Sequence, residues 1–186
     1  YDSSFDFVPY RNTAAAEFNA ITASFFMPYG PWNSGNGPID TSGFLRVVNW
    51  AQARGMRVHG HVMIYPTENV SCQWLQALPN HQVEGKLREF VTTMGRAAAG
   101  RVWVWDVVNE VIADNGNAMD GDGVRTGDFR GGVYKPYKEY QAMGQDYIAK
   151  AFRWAREADP NAVLIINEYA AEEINDKSNR LLAFCK

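Results

Sequence analysis

The sequence predicts an α/β fold built on a parallel sheet, and three observations carry that prediction. Residues 102–110 read VWVWDVVNE, a near-continuous run of β-branched and aromatic side chains of the kind buried on both faces of a parallel sheet. Short apolar runs of this type alternate along the chain with amphipathic helical stretches, which is the pattern of βαβ units with right-handed crossovers. Two of the strands end in polar residues: Asn109 and Glu110 follow Val108, and Asn167, Glu168 and Tyr169 follow Ile166. Side chains delivered there stand at the carboxyl ends of strands, where α/β sheets and barrels keep their sites. A glutamate just past a strand is also a common solvated loop residue, so its neighbours decide its role.

Composition bounds the answer. With 186 residues, 46% of them hydrophobic, the chain can bury a core and is expected to form one domain over residues 1–186. The formal net charge is −3 and the 18 Lys and Arg are scattered, so no basic stripe points to nucleic acid and a neutral ligand fits better. No apolar run approaches the roughly 18 residues of a membrane span. No basic and apolar leader opens the chain, which begins at Tyr1; a processed or partial chain is expected, with any targeting signal outside it. Cys72 falls in a loop and Cys185 on the apolar face formed by Leu181 and Leu182, where a buried free thiol is expected; neither has the spacing of a zinc or redox pair. Asn69-Val70-Ser71 matches a glycosylation acceptor, meaningful only in a protein secreted by a eukaryote.

Each element follows from its pattern. Residues 1–9 lack periodicity, and 10–18 form a short helical stretch with Ala14, Ala15 and Phe18 on one side. Residues 20–27 read as a strand, followed by a Gly- and Pro-rich loop that presents Tyr29 and Trp32. Flat aromatics in such a loop suit sugar rings; packing over the end of the sheet is an equal reading for Trp32. Asp40 can cap a helix over 40–54, whose Phe44, Val47, Val48 and Ala51 share a face and which Gly55 stops. The next strand alternates Val58, Gly60, Val62 and Ile64 with His59, His61, Met63 and Tyr65. A histidine inside a strand, like His61, is more often a hydrogen-bonded core residue than a ligand. Only three histidines occur in the chain, so no metal site is expected. Residues 80–98 form an amphipathic helix ending at Gly100 and feeding the 102–110 strand, in which Asp106 is expected to be a buried, hydrogen-bonded structural acid. Residues 114–132 superficially resemble a calcium loop at Asp120-Gly121-Asp122-Gly123. Val124 occupies the fifth place and no glutamate closes the twelfth, so a mobile loop over a cleft is expected. A helix over 140–158 carries Tyr147, Ala151, Trp154 and Ala155 on one face, a strand covers 162–166, and a helix covers 172–186. No Gly-rich phosphate turn follows a strand, so no cofactor is expected.

These residues carry a resemblance. Trp105-Asp106-Val107-Val108-Asn109-Glu110, with Gly60-His61 on the strand before it and Ile166-Asn167-Glu168-Tyr169 on the strand after it, resembles glycoside hydrolase family 10, the xylanase family, from about Phe18 to the C-terminus. The resemblance implies a (β/α)8 TIM barrel. A complete barrel takes about 250 residues, so the four strands found here are expected to be strands 2 to 5 of an incomplete one. The open edges would then need the missing C-terminal half of the barrel, or another protein, to cover them.

By the same resemblance, Glu110 matches the general acid/base of a retaining mechanism, Asn109 the contact to the sugar 2-hydroxyl, and His61 and Asn167 positions around the glycone sugar, while the nucleophile belongs to a strand beyond Lys186. Tyr29, Trp32 and Trp74, in loops at strand carboxyl ends, are candidate sugar contacts, and an extracellular or cell-surface location is implied. The chain also departs from the family. Ser24, Phe25 and Pro28 stand where Glu-Asn-x-x-Lys usually holds the glycone sugars, and Tyr65 and Pro66 stand where Trp-His often follows.

Retaining hydrolysis needs two carboxylates about 5 Å apart, one to protonate the leaving oxygen and one to attack. Glu110 supplies one. Glu168 is the in-chain candidate for the other, though a role in orienting a neighbour, or a solvent-facing position, is favoured for it. Two function classes follow: a glycosidase acting on a β-1,4-linked plant or algal polysaccharide, and a non-catalytic glycan-binding or structural surface module.

Overall fold

The computed structural model describes residues 3–24, 32, 35–66, 73–114, 118–130 and 132–186. A short 3-10 turn (Ser3–Asp6) and helix α1 (Val8–Glu17) lead into strand β1 (Ala20–Ser24), and α2 (Ser42–Gln52) leads into β2 (Arg57–Ile64). Helices α3 (Gln73–Ala77) and α4 (Asn80–Ala97) precede β3 (Val104–Asn109). Three further strands follow, β4 (Ala118–Met119), β5 (Arg125–Arg130) and β6 (Val133–Pro136). Then come α5 (Lys138–Met143), α6 (Asp146–Ala158), β7 (Val163–Asn167) and α7 (Asp176–Phe184).

The four strands read from the sequence form one parallel sheet in the order β1-β2-β3-β7. Each crossover carries a helix whose apolar stripe had marked it. α2 buries Phe44, Val47, Val48 and Ala51, α4 buries Val83, Leu87, Phe90, Val91 and Met94, and α6 buries Tyr147, Ile148, Ala151, Trp154 and Ala155. Every residue of β3 is buried, as its unbroken apolar run required. Sequential parallel strands with covering helices are one portion of a (β/α)8 barrel.

Trp105 fixes the sides of the sheet. Its ring packs on Phe44 of α2 with centroids 5.3 Å apart, and its Nε1 donates to Asp159 Oδ2 at 3.2 Å, so this face of β3 looks at the helices. Gly60 is its register partner on β2, and a Cβ there would fall 2.3 Å from the Trp105 ring. Residues one step along from this pair point to the opposite face.

Five expectations are corrected. Residues 114–132 are not a plain loop: the described part carries β4 and β5, which form with β6 an antiparallel sheet in the order β4-β5-β6. Gly131-Gly132 between two β-prone runs was the hairpin signal in the sequence. The stretch 140–158 is two helices, because Gly144 adopts φ +60, which ends α5 before α6 begins. The last helix starts only at Asp176, where Asn175 and Ser178 form a reciprocal capping box. The N-cap of α2 is Thr41, although the Asp40 carboxylate still accepts the Ser42 N–H at 2.9 Å. Cys185 is a free thiol but exposed, since it lies past the end of α7. The 20–27 strand is seen to Ser24; Phe25, Pro28, Tyr29, Asn69 and Cys72 lie outside the described residues. Among the described residues, no helix is long and apolar enough to cross a membrane.

Candidate active site

Strand register assembles the site. His61 on β2 is the partner of Asp106 on β3, and Asn109 on β3 is the partner of Asn167 on β7, so each pair shares a face of the sheet. The Asp106 carboxylate lies between two histidines two residues apart on β2: His59 Nε2 is 2.9 Å from Oδ1 and His61 Nδ1 is 2.6 Å from Oδ2. Asp106 is 1% exposed, the buried structural acid expected of it. Burial alone would raise its pKa, but the hydrogen bonds and charge of His59 and His61 outweigh burial and hold it below the ordinary carboxylate range.

The sign of the resulting pH dependence follows. A carboxylate with a folded-state pKa below its unfolded value stabilises the fold above the unfolded pKa, and that stability is lost as pH falls through the folded one. Asp106→Asn is expected to cost about 2–3 kcal/mol near neutrality and to flatten the acid side of the stability curve below about pH 4. Urea unfolding from pH 3 to pH 7 checks this. An unchanged acid limb in the variant removes the assignment.

Asn109 is 2% exposed and accepts the Asn167 Nδ2–H on its Oδ1 at 2.7 Å. With that oxygen engaged, its own amide N–H groups are the part suited to a hydroxyl ligand. Glu110 follows at once and leaves the strand at φ +54, in the left-handed region that a residue with a Cβ rarely adopts. Backbone ties hold it there. Its N–H donates to Asn167 O at 2.9 Å, and Arg125 Nη1 of β5 donates to its carbonyl at 3.3 Å. Its half-buried carboxyl accepts the Tyr65 hydroxyl on Oε2 at 2.5 Å, from the residue directly after β2.

Beside it lies a second ionic cluster. Glu168 accepts the Ile112 N–H on Oε1 at 2.9 Å and meets Lys177 Nζ with Oε2 at 2.8 Å. Lys177 Nζ also lies 3.1 Å from Asp114 Oδ1 and sits over the Tyr169 ring, while Tyr169 donates its hydroxyl to Asp114 Oδ2. Burial works against the Lys177 charge, but Glu168 and Asp114 outweigh it and raise its pKa above the usual value. Glu168 therefore braces the segment after Glu110, in line with the orienting role favoured for it.

Trp32 takes the packing role rather than the stacking one. It is 2% exposed, donates its Nε1–H to Gly37 O, and is covered by the Trp74 ring at 5.2 Å and Lys86 Nζ at 4.4 Å. Its faces are taken by protein, which corrects it as a sugar contact; Trp74, above it, is partly buried. The sequence reading missed Arg125 and Lys177, the first partly buried and the second buried by long-range packing that no spacing announces. Tyr65 was visible as a departure from a pattern, without its partner.

The sequence model of glycosyl hydrolase family 10 matches residues 2–186. The chain is 33% identical over 172 residues to endo-1,4-beta-xylanase B of Thermotoga neapolitana, covering 91% of this chain and 44% of that protein. It is 34% identical over 172 residues to endo-1,4-beta-xylanase A of Cellvibrio japonicus, covering 92% of this chain and 27% of that protein. Native xylanase 10B from Thermotoga maritima superposes with a TM-score of 0.77 at 30% identity, over 95% of this chain and 50% of that one. The chain thus spans half or less of the length of these relatives.

Proposed function

The chain belongs to glycosyl hydrolase family 10, and from that membership we propose that it is the acid/base-bearing part of a retaining glycosidase acting on a xylan-like β-1,4-linked polysaccharide. Glu110 gives its proton to the glycosidic oxygen while a carboxylate supplied from outside these residues attacks the anomeric carbon. The resulting glycosyl-enzyme is opened by water, whose proton returns to Glu110. The observation that carries this reading is the placement of Glu110 at the carboxyl end of the buried β3, with one carboxyl oxygen held by Tyr65.

Asn109 offers N–H donors to the sugar 2-hydroxyl, and His61, fixed by Asp106, and Asn167, fixed on Asn109, shape the glycone side. Trp74 and Tyr29 are the aromatics proposed to meet sugar. The xylanase names of the relatives support the substrate class, and an extracellular or cell-surface setting is part of the same proposal. Ser24 favours a second reading, a glycan-binding module without turnover, because a short hydroxyl stands where the family usually grips the glycone sugar with a carboxylate.

The experiment compares the 186 residues alone with the same chain extended through the remaining strands. The extended protein is expected to release reducing sugar from xylan with retained anomeric configuration. The 186 residues alone are expected to release none, because a retaining site with one carboxylate has no nucleophile. Binding of xylo-oligosaccharides without hydrolysis by the extended protein selects the second reading; release by the short chain places both carboxylates within it.

A further inference from the structure

We propose that Tyr65 is a positioning residue for the acid/base carboxyl: its phenol holds Glu110 Oε2, so that Oε1 is the oxygen that delivers and recovers the proton. The inference rests on the acid/base reading of Glu110 and adds to it the side chain that orients the group. A carboxyl has two equivalent oxygens and turns freely about its last torsion, so only part of an unrestrained population presents a proton toward a leaving group. Tyr65 removes that ambiguity. Its hydroxyl lies 2.5 Å from Oε2, at the short end for an O–H···O bond, and a donor placed on one oxygen leaves the proton of the neutral acid to the other.

Three features make the tyrosine a fixed donor. It directly follows Ile64, a fully buried residue that ends β2, so its backbone starts from a rigid strand end. Burial first, and then the hydrogen bond and charge of Glu110, push its phenol pKa far above the ordinary value, so it stays protonated throughout any working range. The backbone of Glu110 is independently clamped by Asn167 and Arg125, so the phenol acts on the side-chain torsions and not on the backbone. The same bond serves both half-reactions. When Glu110 has given up its proton, the phenol still donates to Oε2 and leaves Oε1 turned toward the incoming water.

The test uses the extended protein with two substrates, xylan and an aryl xyloside whose nitrophenol needs no proton to depart. Tyr65→Phe, which keeps the ring and removes the donor, is expected to lower turnover of xylan about 10- to 100-fold and glycosylation by the aryl xyloside less than about 3-fold. Tyr65→Trp, whose indole N–H is again a donor, is expected to recover most of the loss on xylan. Equal losses on both substrates, or no loss on either, overturn the proposal, as does a Phe variant as active as the Trp variant. Glu110→Ala measured alongside separates the two readings. If it shows the leaving-group split and Tyr65→Phe does not, the positioning role falls alone. If Glu110→Ala shows no split, the acid/base reading falls and takes this one with it.

Discussion

Glu110→Ala in the extended protein is expected to slow cleavage of xylan by about 10²–10⁴-fold, the usual worth of a positioned general acid. The mechanism limits where that loss can show. An aryl glycoside with an acidic phenol leaves unaided, so its glycosylation step should survive, and the glycosyl-enzyme should then accumulate because water has lost its base. Added azide, a nucleophile that needs no deprotonation, is expected to restore turnover of the aryl substrate and to yield the β-glycosyl azide. Burst kinetics followed by product analysis read all three effects. Equal loss on both substrates with no rescue by azide would mean that Glu110 holds the site together and transfers no proton.

The second large effect is expected at Lys177. Its side chain is 5% exposed and the Glu168 side chain it faces is 2% exposed, so Lys177→Met would strand a carboxylate in the interior. Removing one partner of a buried ion pair costs about 3–5 kcal/mol, mostly from the charge left behind. The double variant Lys177→Met/Glu168→Gln should therefore recover part of the loss, although the hydrogen bond from Ile112 keeps Glu168 from being merely a counterion. Denaturant unfolding of the two variants and the parent checks the order. A single variant within about 1 kcal/mol of the parent would show the pair to be solvated, as surface pairs are. Because Ile112 lies two residues past Glu110, a fall in xylan turnover should accompany the loss of stability.

The parallel sheet was legible because strands covered on both faces must be apolar throughout, and VWVWDVVNE has no other economical use. Helix faces were legible for the same reason: Phe44, Val47, Val48 and Ala51 recur at helical spacing, and all four are buried. The antiparallel sheet was hidden. Its strands are short and partly exposed, with Asp, Arg, Gly and Lys among their residues, so alternation is weak and the pair of glycines was the main clue. The break at Gly144 was hidden by the apolar face that runs on through Tyr147 and Ala151. In the candidate site, Glu110, Asn109 and Asn167 were visible as polar residues closing apolar strands, and His61 as a histidine within one. Trp32 misled because exposure cannot be read from a loop of Gly and Pro; its ring is buried by Trp74 and Lys86, which lie far along the chain. Arg125 and Tyr65 gained their meaning only from distances across the sheet.

The contact between Gly60 and Trp105 restricts the order in which this sequence can change. An indole fills the space that a side chain at position 60 would need, so any substitution at Gly60 made first meets a 2.3 Å clash, whereas one made after Trp105 has become smaller does not. Of two changes that together would be tolerable, only one sequence of steps passes through an intermediate without the clash, and that intermediate carries a cavity in place of the largest side chain of β3. Neighbouring positions inherit the restriction. His61 and Asp106 each stand one residue beyond this pair, and as long as the tryptophan and the glycine hold the two strands in step, the histidine and the aspartate meet without further instruction.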